Sequence, residues 1–140
     1  MNNEDQPEVG SAAFQKSVLV VDHDPAARHF VGLVLRKAGY HVFEVESPDK
    51  AQRIANGGHQ IDLLLTDYQM PVMNGALLAG WFREMFPHIP VLVLTGVPEL
   101  AAVNGMYHPT FVCLAKPVLP RELTEVVASM ISRGPTWSRC

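Results

Sequence analysis

The sequence predicts a doubly wound α/β domain, in which helices cover both faces of a five-stranded parallel sheet. Two observations support this prediction. Five short runs rich in Val, Leu and Ile alternate with segments whose apolar residues recur at helical spacing. Three of the runs are apolar on both faces, as is typical of strands that are covered on both sides. The alternation of strands and helices implies parallel strands joined by right-handed crossovers.

The strands and the first two helices have recognisable boundaries. The first helix is predicted to begin after Asp24, which can cap its amino terminus ahead of Pro25, and to end at Gly39. The second begins in the same way after Ser47 and ends at the following glycine pair. The predicted strands are residues 17–22, 41–45, 61–66, 90–95 and 110–115.

Apolar stripes indicate the remaining helices. A third helix is predicted before Pro87, a short and weaker one over residues 98–105, and a last one near the carboxyl terminus. The stripe of the third helix is formed by Leu77, Leu78, Trp81, Phe82 and Met85, and that of the last by Leu123, Val126, Val127, Met130 and Ile131.

Composition narrows the class of protein. The net charge is −3 and Lys and Arg are not clustered, which argues against a nucleic-acid surface. The apolar runs are far shorter than a membrane span, and the polar, acidic amino terminus is unlike a signal peptide. Cys113 and Cys140 form no metal or disulfide pattern. We expect a soluble, cytoplasmic protein with one domain over residues 17–132, flanked by a flexible tail at 1–16 and a short tail at 133–140.

Polar side chains with complementary chemistry follow four of the predicted strands. The first strand ends in Asp22-His23-Asp24 and the third in Asp67, while Thr95 and Lys116 follow the fourth and fifth. In open α/β sheets the functional crevice lies at the carboxyl ends of the strands, and the strand order 2-1-3-4-5 would bring these groups together there. Converging carboxylates repel one another and favour a cation, and hard oxygen ligands favour Mg²⁺. A carboxylate beside Mg²⁺, an amine and a hydroxyl can act as nucleophile toward a phosphoryl group.

The set of segments VLVVD, LLLTDYQMPVMNG, VLVLTG and LAKP resembles the receiver domain of two-component response regulators. The resemblance spans roughly residues 17–132, and TDYQMPVMNG is its strongest single segment. It implies a flavodoxin-like (βα)5 fold with strand order 2-1-3-4-5. It also implies a signalling phosphoacceptor rather than an enzyme, one that at most catalyses its own phosphorylation and dephosphorylation.

The resemblance assigns a role to each matching residue. Asp67 would accept the phosphoryl group from a sensor histidine kinase or a histidine phosphotransfer protein. Asp22 and Asp67 would bind Mg²⁺ together with the main-chain carbonyl of Gln69. Thr95 would be the switch hydroxyl, and Lys116 would contact the phosphoryl group. The Lys116–Pro117 bond is cis in many members, and an X-Pro bond permits this.

Three positions depart from the family pattern. His23 stands where a second acidic metal ligand is usual, Gly96 follows the switch hydroxyl where alanine is common, and Cys113 replaces the switch aromatic. Phe111 and Tyr107 lie near Cys113 in sequence. We interpret Cys113 as a small buried apolar residue. The coupled switching of threonine and aromatic residue therefore lacks its usual aromatic member at position 113.

His23 allows more than one hypothesis. An imidazole in place of a carboxylate is a poor ligand for Mg²⁺, so it would weaken binding or favour another divalent ion. Between three acids it could also be protonated and supply a positive charge itself. It could equally point to solvent and change little.

Two other functions remain open at this point. A degenerate receiver would bind partners without being phosphorylated, and His23 is the main argument for it. A haloacid-dehalogenase-type phosphatase would use Asp22 and Asp24 as its D-x-D motif, but the sequence lacks the required later acidic pair and leaves Asp67 without a role.

Output is expected through a downstream target protein that docks on the face formed by the fourth helix (98–105), the fifth strand and the fifth helix. Leu100, Val103, Met106 and Tyr107 in and after this fourth helix offer apolar surface to a partner or to a second copy. A homodimer is thus possible, whereas nucleic acid and membrane are not expected as partners.

Overall fold

Five parallel strands form one sheet with the order β2-β1-β3-β4-β5, which confirms the predicted fold class. The computed structural model describes residues 15–71, 73–97 and 111–133. The strands are β1 (Ser17–Val21), β2 (His41–Val45), β3 (Leu63–Asp67), β4 (Val91–Thr95) and β5 (Phe111–Ala115). The described helices are α1 (Pro25–Lys37), α2 (Pro48–Asn56), α3 (Gly75–Met85) and α4 (Pro120–Arg133). The helix predicted over 98–105 lies outside the described residues.

The helix caps form as the sequence predicts. The Asp24 side chain accepts a hydrogen bond from the Ala26 amide at the start of α1, and Ser47 caps α2 in the same way. Gly39 follows α1 with a φ of 102°, a conformation that glycine adopts without a steric penalty. These caps place the loop after β1 at the carboxyl edge of the sheet.

Alternate residues of the strands face two separate apolar cores. Leu19, Leu64 and Val93 pack on one face of the sheet beneath α2 and α3. Val20 and Leu65 pack on the other face beneath α1 and α4. Because both faces are covered, the interior strands β1, β3 and β4 are buried along their whole length.

The apolar stripe predicted for α3 is only partly buried. Leu78 and Phe82 are fully buried, whereas Leu77 and Met85 are 62% and 55% exposed. Successive helical residues point about 100° apart, so Leu77 and Leu78 cannot both face the sheet. The predicted helix is therefore confirmed, but two residues of its apolar stripe lie at the surface.

No helix within the described ranges has both the length and the apolar character that crossing a bilayer requires.

Gly75 allows α3 to begin directly against the end of β3. Its amide donates to the Tyr68 carbonyl at 2.7 Å, and a Cβ atom there would lie 2.6 Å from the Asp67 carbonyl oxygen. We expect Gly75→Ala to lower the free energy of unfolding by roughly 1–3 kcal/mol, because the main chain of Asp67 and Tyr68 would have to move. Urea unfolding measures the change.

Gly80 on the same helix is the matched control, since a Cβ atom there would meet no atom within 4 Å. Gly80→Ala should leave stability unchanged or raise it by up to about 1 kcal/mol through helix propensity. Equal losses in the two variants would contradict the close approach at Gly75.

Candidate functional site

The strand register brings the predicted site residues to one edge of the sheet. Val21 of β1 is paired with Thr66 of β3, so Asp22 and Asp67 are the next residues of neighbouring strands. Thr95 of β4 is paired with Ala115 of β5, immediately before Lys116. All of these residues stand at the carboxyl ends of parallel strands, where the sequence placed the functional crevice.

Asp22 and Asp67 are buried carboxylates that both lie near the ammonium group of Lys116. The side chain of each is 5% exposed. The Lys116 ammonium donates to Asp67 Oδ1 at 2.8 Å and lies 3.9 Å from Asp22 Oδ2. The Lys116–Pro117 peptide bond is cis. Lys116 therefore pairs most closely with the carboxylate that the sequence identified as the nucleophile.

Burial raises the pKa of Asp22 above its ordinary value of 3.8, and the neighbouring Asp67 carboxylate raises the pKa further. The Asp24 amide, which donates to Asp22 Oδ1 at 2.9 Å, acts in the opposite direction, as do Lys116 and His23. Because the net effect is a raised pKa, the folded protein disfavours the ionised form of Asp22.

The carboxylates open onto a cavity of about 470 Å³ at the protein surface. Three carboxylates face it against one ammonium group, so it attracts cations. Its described lining residues are Asp22, His23, Asp24, Pro25, Asp67, Gln69 and Lys116.

His23 turns toward the carboxylates, although its side chain is 47% exposed. Its Nδ1 atom lies 3.5 Å from Asp67 Oδ2 and 3.8 Å from Asp22 Oδ1. His23 also borders a second, mainly apolar cavity of about 330 Å³, which Met73 and Pro48 line on the other side. The interpretation in which His23 points to solvent and changes little is not supported by these contacts.

Thr95 and Gln69 occupy different positions relative to the cavity. Gln69 lines it, as the metal-ligand assignment requires. Thr95 is fully buried and is not among the described lining residues. Its hydroxyl oxygen accepts a hydrogen bond from the Val97 amide at 2.9 Å, so in this state the hydroxyl is tied to its own loop.

The predicted switch and docking regions are described in part. Cys113 lies in β5 and is half-buried rather than fully buried, so the interpretation as a buried apolar residue was too strong. Cys113 is also disulfide-bonded, so the expectation that it belongs to no disulfide was wrong. Tyr107 and the apolar residues in and after the predicted fourth helix lie outside the described residues.

Arg28 is a site residue that the sequence interpretation missed. Its guanidinium donates to the Asp22 carbonyl at 2.9 Å and lies 3.9 Å from the Glu44 carboxylate. It thus fixes the main chain of the first acidic residue from behind. A single arginine on a helix gives no sequence signal, but its position one turn after Pro25 places it next to the loop.

A five-stranded parallel sheet with this order and an acidic, lysine-containing cavity at its carboxyl edge defines a class of phosphoacceptor signalling domain. The response regulator receiver domain family matches residues 18–128, and the chain belongs to this family. The family consists of signalling phosphoacceptors rather than classical enzymes. The phosphatase interpretation was therefore wrong, and Asp67, which it left without a role, lies in the cavity.

Similar proteins cover much of the chain. It is 28% identical over 127 residues to the autoinducer 1 sensor kinase/phosphatase LuxN of Vibrio campbellii, covering 89% of this chain and 14% of that protein. It is 34% identical to the transcriptional regulatory protein GlrR of Escherichia coli, over 72% of this chain and 23% of that protein. The chain thus spans less than a quarter of the length of either relative.

Solved structures agree with the fold. The chemotaxis response regulator CheY4 of Vibrio cholerae matches with a TM-score of 0.71 and 28% identity, covering 82% of this chain and 98% of that one. A receiver protein from Sinorhizobium medicae matches with a TM-score of 0.78 at 24% identity, over 86% and 97% of the two chains.

Replacing Asp22 by Asn should stabilise the metal-free protein at neutral pH. A raised pKa means that the folded protein binds this proton more tightly than the unfolded chain, so ionisation of Asp22 lowers stability as pH rises. Asn removes that cost and its oxygen can still accept from the Asp24 amide. The gain should disappear below the ordinary pKa of 3.8. Urea unfolding across this pH range, with a chelator present, measures it.

Asp24→Asn is the matched control, because Asp24 is an exposed neighbour and Asn caps a helix about as well as Asp. It should show no gain at neutral pH. A loss of stability in Asp22→Asn at neutral pH would contradict the unfavourable ionisation of Asp22.

Proposed function

We propose that this chain is a working phosphoacceptor, which takes a phosphoryl group onto Asp67 from the phosphohistidine of a sensor histidine kinase or a histidine phosphotransfer protein. The observation that supports this most is the buried Asp67 carboxylate at the cavity, with the Lys116 ammonium 2.8 Å away. Membership of the receiver family supports it independently.

The transfer needs a nucleophile and charge neutralisation. An Asp67 oxygen would attack phosphorus, an oxygen–phosphorus bond would form, and the phosphorus–nitrogen bond to the donor imidazole would break. The donor nitrogen leaves as a neutral imidazole after taking up a proton. Lys116 already lies beside the nucleophile and would neutralise charge on the transferred oxygens.

The residues of the cavity fit a divalent cation. Ligand atoms of Asp22, His23 and Asp67 all lie within 4.8 Å of one another, and Gln69 can add its main-chain carbonyl. A bound Mg²⁺ ion would supply positive charge to the phosphoryl oxygens. The oxygen donors suit Mg²⁺ and the imidazole does not, so we expect His23 to weaken Mg²⁺ binding.

Thr95 would couple phosphorylation to a change of shape. Its hydroxyl oxygen accepts from the Val97 amide at rest, which leaves the hydroxyl proton free to be donated. Donation to a phosphoryl oxygen would pull on the loop after β4. Cys113 stands at the position of the usual aromatic partner, so the response of β5 is expected to differ from the family pattern.

Signalling would then depend on docking. We propose that a downstream target in the cytoplasm, or a second copy of the chain, binds the face formed by the fourth helix predicted from sequence, β5 and α4. The domain would occupy residues 17–132. The relatives are longer proteins, and the names of the relatives do not establish the partners of this chain.

A second candidate function is a phosphorylation-independent binding module. His23 favours it, because an imidazole, which carries no negative charge, replaces one of the carboxylates that the family uses to hold its cation. The two functions differ in one property, namely whether Asp67 gains a phosphoryl group.

Asp67→Asn should abolish phosphorylation, because it keeps the shape of the side chain and removes the nucleophile. We expect the wild-type protein to gain one phosphoryl group, labile to hydroxylamine, on incubation with acetyl phosphate and a divalent ion, and the variant to gain none. Intact-protein mass spectrometry measures both, with and without Mg²⁺.

Asp49→Asn is the control, because the Asp49 side chain is exposed on α2 and is not among the described lining residues of the cavity. It should be phosphorylated like the wild type. Equal labelling of Asp67→Asn would show that another residue is the acceptor. Absence of labelling in the wild type with every divalent ion tried would instead support the binding module.

A further inference from the structure

The position of the His23 imidazole bears on which metal ion the cavity selects. Nδ1 of His23 faces both carboxylates, at 3.5 Å from Asp67 Oδ2 and 3.8 Å from Asp22 Oδ1. One nitrogen and two carboxylate oxygens thus converge from the ends of β1 and β3. Because His23 is half-exposed, this convergence is not forced by a tightly packed interior.

The spacing of these atoms suits a small coordination number. Nδ1 and Asp67 Oδ2 are 3.5 Å apart. If an ion lay about 2.0–2.2 Å from both atoms, the N–ion–O angle would be about 105–120°. That angle is near the tetrahedral value. Neighbouring ligands of an octahedral Mg²⁺ ion would be at 90° and about 2.9 Å apart. Nδ1 and Asp22 Oδ1 are 3.8 Å apart and would subtend about 120–145° at such an ion, so this pair is wider than a tetrahedron and further still from an octahedron.

The chemistry of the donors points in the same direction. Zn²⁺ and the neighbouring transition ions accept imidazole nitrogen together with carboxylate oxygen, whereas Mg²⁺ prefers oxygen alone. A neutral imidazole in place of a carboxylate also removes one negative charge from the site, which weakens the attraction for a hard ion. Three protein ligands leave a fourth position of a tetrahedral ion open to water or to a phosphoryl oxygen.

We propose that Asp22, Asp67 and His23, the last through Nδ1, form a site for a divalent transition ion of the Zn²⁺ type, in preference to Mg²⁺. The inference deepens the proposed function, because it names the ion of the same cavity. It also makes occupation of the phosphoacceptor site dependent on transition-metal supply.

Isothermal titration calorimetry of the metal-free full chain with Zn²⁺ and with Mg²⁺ tests the preference. His23→Asp should bind Mg²⁺ more tightly and Zn²⁺ at least about tenfold more weakly than the wild type, since even outer-shell ligand changes cost 10–100-fold. His23→Ala should lose Zn²⁺ affinity without gaining Mg²⁺ affinity. Unchanged Zn²⁺ affinity in both variants would overturn the proposal.

His88→Asn is the matched control for binding to other histidines. His88 is exposed and lies between α3 and β4, at the opposite edge of the sheet from the cavity. This variant should bind both ions like the wild type. Loss of Zn²⁺ affinity in His88→Asn that equals the loss in His23→Asp would place the Zn²⁺ elsewhere and overturn the proposal.

Pulsed electron paramagnetic resonance with Mn²⁺ as the probe tests direct ligation. Modulation from an imidazole nitrogen should be present in the wild type and in His88→Asn, and absent in His23→Asp. Its absence from the wild type would overturn the role of Nδ1. Phosphorylation of Asp67 is measured separately by mass spectrometry. If the protein gains no phosphoryl group but still prefers Zn²⁺, the result contradicts the proposed function and supports the metal assignment.

Discussion

The juxtaposition of two buried carboxylates at the carboxyl edge of a parallel sheet is the constraint on which the site depends. The register of β1 and β3 places Asp22 and Asp67 side by side, and burial makes the ionisation of Asp22 costly. One ammonium, from Lys116, cannot neutralise both, so the cavity retains an attraction for a second cation. The same arrangement provides a nucleophile, a positive charge beside it and an open space of about 470 Å³ for a phosphoryl group.

His23 alters the charge of this arrangement without altering the fold. It lies on the loop between β1 and α1, and its neighbours Asp22 and Asp24 keep their structural roles as strand end and helix cap. The substitution is therefore confined to the surface of the cavity, where it changes the type of donor atom offered to a cation. Arg28 supports the loop by donating to the main-chain carbonyl of Asp22.

Much of the site could be predicted because strand ends are predictable. Buried strands are apolar, so the polar residue that follows each one stands out, and Asp67 and Lys116 were found in this way. The exposure of Leu77 could not be predicted, because an apolar pair on a helix does not reveal which member faces the sheet. Arg28 was missed because its role depends on a main-chain contact, and the tie of Thr95 to the Val97 amide depends on the loop conformation.

Binding of beryllofluoride, a phosphoryl mimic, tests whether Asp67 is the acceptor of a phosphoryl-binding cavity. Fluorine NMR of the full chain with beryllofluoride and a divalent ion should show protein-bound fluoride resonances for the wild type and for Asp49→Asn, and none for Asp67→Asn. Bound resonances of equal intensity from Asp67→Asn, or none from the wild type at saturating Mg²⁺ and Zn²⁺, would contradict the role of Asp67 as acceptor.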